Sequence, residues 1–438
     1  MIPNPKILKS IEKLDYRVTV GDVAAQAGLE LNFAQEGLLA LASEAGGHLQ
    51  VADSGDVVYL FPKNFRSILR NKYWQLRWQQ TWAKIWKVLF YIIRISFGIV
   101  LIASIALMMV AIIAIVIAMN SSNDEREGGR GRSYGGGGFF MPRFWIGDIF
   151  WWFDPGYNRR RLQRRRETSG NYQMNFLESV FSFLFGDGDP NADLEENRYS
   201  AIGSVIRAHK GAVVGEQIAP YVDKADEDED YMIPVLSRFN GYPEVSPQGQ
   251  IVYYFPELQV MASQRGTQSI SSMGYLQEKP WLFSQANGNQ ITMAAGLGVL
   301  NIIVAFVLQS LLQNGAIAEI MSGQSGESLV MFTASIFWLL LSYGILYLSI
   351  PLVRYFWIKG RNPKIANRNE AREQRAIALK KPSQSLQQKI SYASQFARQK
   401  IIGQKDITYT TEDDLLDQNL RDRDKIDREW QQRLESDS

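Results

Sequence analysis

The chain has 438 residues, room for two or three compact units, and 47 Lys and Arg against 45 Asp and Glu leave a formal net charge of only +2. It contains no cysteine and only two histidines, His48 and His209. Disulfides, thiolate zinc sites, Cys-ligated iron–sulfur clusters and cysteine nucleophiles are therefore excluded on this chain, and imidazole sites have almost no material. The opening MIPNPKILKSIEKLDYR lacks an apolar core segment, so no signal peptide is expected.

Residues 17–62 predict a short strand at Val18 to Val20, a helix over GDVAAQAGL and a second helix over FAQEGLLALASEAGG. Asn32 is the expected cap of that second helix, and a hairpin over HLQVADSGDVVYLFP follows. Helix, helix and β-hairpin make a winged-helix pattern, placed at 1–65. The eight residues GDVVYLFP (55–62) reappear as GQIVYYFP (249–256), which puts Tyr59 and Tyr253 194 positions apart. The same offset carries Gly21 onto Gly215 and Gly47 onto Gly241, so a duplicated module is expected over 191–262. Pro234 falls inside the third helix of the second copy, where a first-turn position would tolerate it.

Residues 66–87 form a basic stretch with Trp74, Trp78, Trp82 and Trp86 four apart, expected as an interfacial helix. Three apolar runs, 88–119, 291–312 and 329–353, are long enough to cross about 30 Å of hydrocarbon as helices. Asn301, Gln309 and Ser310 in the second run would prefer helix contact to lipid, and Ala294 with Gly298 permits close packing on the third. Between the first run and the second module, 120–190 holds the flexible GGRGRSYGGGG and the aromatic segments 139–153 and 174–186, expected at the membrane interface. It also holds the block Arg159, Arg160, Arg161, Arg164, Arg165 and Arg166, which suits either anionic lipid or solvent. DGDPNADLEE (187–196) has alternating acids, but Ala192 and Arg198 stand where a calcium loop needs Gly and Glu. A polar turn with Asp193 capping the next helix is preferred.

Residues 263–290 are a linker. The charged tail 354–438 predicts solvated helix or partial disorder, free to dock on a partner or on the modules. Basic residues flank the first span at 63–87 and follow the third, so both modules and the tail are expected in the cytoplasm, although three spans cannot alone satisfy that parity.

VTVGDVAAQAGL, GDVVYLFPKNFR and FGDGDPNADLEENRYSAIGSVIRAHKGAVVGEQIAPY resemble a membrane-protein family of cyanobacteria and chloroplasts. The resemblance implies a chloroplast-envelope location for plant members, some of which are labelled "iron–sulfur cluster biosynthesis family protein".

The fold class expected is α+β: two winged-helix-like modules, about three transmembrane helices and a helical charged tail. Winged helices often read DNA, but FAQEGLLALASEAGG has Glu36 and Glu44 and no base, and DKADEDED precedes the third helix of the second copy, so no nucleic-acid partner is expected. The function expected is a non-enzymatic membrane scaffold or assembly factor, without cofactor or metal. Membrane lipids and proteins are its expected partners, the latter docked around Tyr59, Phe61, Tyr253 and Phe255. A transporter or channel subunit is the alternative, and a membrane-bound transcription regulator the third reading.

Overall fold

The computed structural model describes residues 4–72, 74–124, 175–226, 228–263, 274–313 and 327–414, with Arg423, Asp427, Trp430 and Gln431 beyond them. The chain is helix-rich with short, mostly antiparallel strands. It divides into two compact units: Met1–Lys87, Asp189–Trp281 and Ile358–Ser438 form one, Val88–Gly188 and Leu282–Trp357 the other.

The first unit begins with a helix the sequence reading did not anticipate, α1 (Pro5–Lys13), capped by the Asn4 side chain. After β1 (Arg17–Val18), α2 (Val20–Ala27) starts on a reciprocal Thr19–Asp22 cap and stops at Gly28 in the left-handed region. Helix α3 (Leu31–Ala45) starts one residue before the predicted cap Asn32, because Leu31 is drawn into the core. Strands β2 (His48–Ala52) and β3 (Val57–Leu60) form the hairpin, with Leu49 opposite Tyr59 and β1 on the far side of β3. Helix α4 (Phe65–Lys72) then leads to α5 (Trp74–Asp124).

The second stretch of this unit follows α6 (Phe176–Phe185), which belongs to the other unit. It runs α7 (Leu194–Ala208), β4 (Ala212–Val213), α8 (Gly215–Ile218), α9 (Ile233–Phe239), β5 (Tyr242–Val245) and β6 (Ile251–Tyr254). Pro234 falls in the first turn of α9, where its missing N–H costs nothing. Asp193 stands at the start of α7 but makes no side-chain cap bond, contrary to expectation. In the second hairpin Pro243 faces Tyr253, with β4 flanking β6. One hydrophobic core joins both stretches, from Leu38, Phe61 and Phe65 to Ile206, Phe239 and Phe255. Helices α2 and α7 pack so closely that a Cβ on Gly203 would sit 2.8 Å from the Ala25 Cα. In that contact Arg207 Nη2 lies 2.7 Å from Asp22 Oδ1, both side chains 3% exposed.

After β6 come α10 (Pro256–Gln259) and β7 (Val260–Met261). The other unit is built from α5 beyond Lys87, α6, α11 (Gly288–Leu311), α12 (Glu327–Ser335) and α13 (Phe337–Lys380) up to Trp357. Three of these helices are long and apolar enough to cross a membrane. The third predicted run is broken at Ile336 between α12 and α13, and α13 continues well past Val353. Leu101 and Ile105 of α5 pack with Ala294 and Leu297, while Met108, Ala111 and Ile115 pack with Val304, Leu308 and Leu311. The first and second spans therefore run in the same direction. Asn301 on α11, fully buried, donates to Ser104 Oγ on α5 at 2.5 Å, so its amide sits between helices as expected. Residues 176–185, expected at the interface, instead bury Val180, Phe183 and Leu184 against Leu101 and Tyr347. Phe181 also meets Phe90 edge-on, ring centres 5.8 Å apart. The segments 139–153 and 158–166 lie outside the described residues.

The tail, expected as solvated helix or partial disorder able to dock on a partner or on the modules, supplies α14 (Gln384–Ser394), β8 (Lys400–Ile401) and β9 (Ile407–Thr410) to the first unit; its strands were not anticipated. Strand β8 pairs with β7, and β9 extends the first hairpin's sheet by pairing with β2.

Candidate docking site

Helix α3 turns Leu31, Ala34, Leu38, Leu41 and Ala45 inward at helical spacing, which leaves its other side to solvent. That side carries Phe33, 40% exposed, Leu39, 44% exposed, and between them the exposed Glu36. No base occurs on it. On α9 the outward Ile233 is exposed. The one base of α9, Arg238, is committed within the unit: its guanidinium lies 3.7 Å from the centre of the Tyr199 ring and donates to the Gly28 carbonyl at 2.6 Å.

The four aromatics expected to dock partners are placed differently. Tyr59, Phe61, Tyr253 and Phe255 are all buried in the shared core, because strand alternation points them at the helices rather than outward. They offer a partner no surface in this arrangement. Tyr253 also donates to Glu229 Oε2 at 2.7 Å, and burial, then this carboxylate, push its hydroxyl far above the ordinary tyrosine range. Trp78, Trp82 and Trp86 are exposed on α5; the Trp74 side chain and Arg159, Arg160, Arg161, Arg164, Arg165 and Arg166 lie outside the described residues.

Charged groups that the sequence reading passed over decide how the surface is divided. Lys389 of α14 inserts between Glu216, at 2.9 Å, and Glu229, at 2.5 Å. Burial alone would lower its ammonium, but the two carboxylates outweigh that and hold it above its ordinary value. Arg372 of α13 is 0% exposed; it meets Glu278 Oε1 at 2.7 Å and also pairs with Asp223. Arg368 grips the same Glu278 with two bonds of 2.8 and 2.6 Å. These arginines, which look in sequence like part of a basic flank, are spent inside the unit. One signal pointed this way: Asp22 and Glu216 each follow the glycine of VGD and VGE, and each receives a buried cation.

The tail covers the back of both hairpins. Val214 and Val252 lie under Ala393, Ile390 and Phe396, and Val58 and Ala52 lie under Ile402 and Ala262. The open edge of β2 is taken as well: Leu49 N–H donates to Thr411 Oγ1, and Leu49 O accepts from Thr411 N–H, both at 2.9 Å. The position in β5 that faces Tyr253, as Leu49 faces Tyr59, is Pro243, which has no N–H to give. A proline on that edge leaves it one donor fewer for a further strand, whereas the β2 edge is complete.

The chain is 38% identical over 448 residues to "Uncharacterized protein At5g03900, chloroplastic" of Arabidopsis thaliana, covering 99% of this chain and 83% of that protein. It belongs to that protein's family. No protein-family model matches the chain, and no solved structure does. The family thus has a chloroplastic member, and three apolar helices in this one are compatible with a membrane location.

Proposed function

We propose that the chain is a non-enzymatic membrane scaffold or assembly factor whose two hairpin-bearing stretches are duplicated winged-helix modules. Their common element order and matching hairpin registers support the duplication. The observation that carries the docking role is the outward face of α3, apolar at Phe33 and Leu39, acidic at Glu36 and without a base. A phosphate backbone would be repelled there, whereas an apolar or basic protein surface would be accommodated. If the work concerns iron–sulfur assembly, the thiolates must come from the partner, since this chain has none.

Affinity purification from native membranes, with partners identified by mass spectrometry, tests the reading. Phe33→Asp with Leu39→Asp should abolish partner recovery while leaving the protease-resistant core unchanged. Equal recovery with the double variant would remove α3 as the docking face. Solute flux that changes on loss of the protein, with no partner recovered, would favour the transporter reading.

Residues before the first span, between α6 and α11, and after the third span form one compact unit, so they occupy one aqueous compartment. The basic flanks support the stromal or cytoplasmic side. Because the chain is free of cysteine, Gln35→Cys, Gln248→Cys and Glu373→Cys can be labelled one at a time with an impermeant maleimide. All three should react from the same side; one reacting from the opposite side would break the arrangement.

A further inference from the structure

The tail repeats the element order of the two hairpin-bearing stretches. Glu216-Gln217-Ile218-Ala219 of the second stretch is matched by Glu373-Gln374-Arg375-Ala376, and Ser237-Arg238-Phe239 by Ser394-Gln395-Phe396. Both matches fall at an offset of 157 positions. Ile251-Val252-Tyr253 is then matched by Ile407-Thr408-Tyr409 at 156, one residue short. The secondary structure follows the same order. Residues 371–380 are helical at the end of α13, α14 starts on a Ser383 cap as the second helix, and β8 and β9 follow. Residues 402–406 separate β8 from β9 as 246–250 separate β5 from β6, five in each case.

Two core positions account for the different outcome. Leu38 and Met232 fill the shared core where the tail has Lys389, and Phe61 and Phe255 fill it where the tail has Thr411. Without those apolar side chains the tail cannot bury a core of its own. It leans on the other stretches instead: α14 on the second hairpin, β8 on β7 and β9 on β2. Strand β9 is held lightly. Thr408 and Tyr409 are exposed, and the ladder to β2 shifts register between Val51 and Ala52. Its last bond, from Leu49 N–H, goes to the Thr411 hydroxyl rather than to a carbonyl. Such a strand belongs to the low-stability end of a fold. Strand β8 pairs with β7 on one side and, among the described residues, with no strand on the other. An edge for β9 is therefore present within the tail itself, and taking it exchanges one set of ladder bonds for another.

We propose that residues 371–411 are a third copy of the module, held open, and that β9 switches between the β2 edge and its own β8. In the closed state Lys400 faces Tyr409, as Leu49 faces Tyr59 and Pro243 faces Tyr253. The β2 edge is then free, so the switch controls whether the first sheet can take a further strand. The inference rests on the duplication proposed above and uses no residue of the α3 face.

The cysteine-free background allows a direct test on the full-length chain in nanodiscs, with copper-phenanthroline as oxidant. Gln50→Cys with Thr410→Cys, neighbours across β2 and β9, should join readily. Lys400→Cys with Tyr409→Cys reports the closed hairpin. It should join roughly ten- to a thousandfold more slowly, as a state populated at about 0.1–10% would. Lys400→Cys with Thr408→Cys, one residue out of register, should be several-fold slower again. Once the 400–409 disulfide has formed, the Leu49 and Val51 amides should exchange at least about tenfold faster, while those of β3 keep their protection. The lock is applied after folding, and both positions are exposed, so the fold is not at risk. A 400–409 pair that joins no faster than the 400–408 pair would overturn the proposal. So would a joined pair that leaves Leu49 and Val51 protected. Partner recovery with the Phe33 and Leu39 variant reads the docking role separately.

Discussion

Replacing Arg372 by Met should cost the first unit about 3–5 kcal/mol, the usual penalty for removing one member of a buried, hydrogen-bonded charge cluster. Arg372 is wholly buried, and Glu278 beside it is 6% exposed. Its guanidinium also donates to the Leu276 carbonyl at 3.2 Å and to Asn369 Oδ1 at 3.3 Å; the loss takes this donor from the Leu276 carbonyl, while Asn369 Oδ1 keeps the Glu278 N–H and Glu278 Oε1 keeps Arg368. The lost contacts are those that fasten the extension of α13 beyond Ile358 to residues 222–223 and 276–278. The pH dependence has a definite sign. Arg368 first, then Arg372, outweigh burial and hold Glu278 below its ordinary value. A carboxylate whose folded value is depressed contributes its full stability above the unfolded value and loses it as pH falls through the folded one. Acid unfolding of Arg372→Met should therefore begin at a higher pH than in the parent. Thermal unfolding in nanodiscs across pH 3–7 measures both effects; a variant within about 1 kcal/mol of the parent, with the same acid midpoint, would show that Arg368 alone suffices for Glu278.

Ending the chain after Lys381 should be at least as damaging. The deletion removes α14, β8 and β9, and with them the cover over Val58, Val214 and Val252, each 0 or 1% exposed in the intact chain. At about 1.5–3 kcal/mol for each valine returned to water, the loss is on the order of 5 kcal/mol before the β2 edge is counted. That edge, freed from β9, becomes an unpaired strand and an aggregation site. The truncated protein should lose protease protection of residues 48–60 and 212–254 and precipitate on detergent exchange. A gentler companion, Ile402→Ala, should cost about 2–5 kcal/mol without opening the edge. Lys389→Met should likewise cost about 3–5 kcal/mol, because it leaves Glu229, 13% exposed, facing Glu216 without the cation between them. A truncated chain with unchanged protection would mean that the tail decorates the modules rather than sealing them.

Much of the local architecture was legible in the residues. The spans announce themselves by apolar length, and the hairpins by alternation around Ser-Gly-Asp and Pro-Gln-Gly turns. The four hairpin aromatics mark how far that reading goes. Tyr59 and Phe61 share a face by strand period, and period alone cannot tell whether that face meets solvent or core. The helices packed on it decide, and they bury it. The tail is the other case. Residues 384–410 have composition suited to a solvated helix, yet they are ordered on surfaces contributed by residues 49–58 and 214–252, far away in sequence.

The sequence by itself determined the apolar spans, the absence of thiolate chemistry and the helix–helix–hairpin order, because each depends on residue type or on spacing within one segment. Only the tertiary structure decided that three separated stretches form one compact unit, that Arg368, Arg372 and Lys389 are spent inside it, and that the tail seals both hairpins. Those outcomes depend on which distant surfaces meet. Pro243 opposite Tyr253, where Leu49 stands opposite Tyr59, shows how little sequence separates an edge with all its donors from one that lacks a donor.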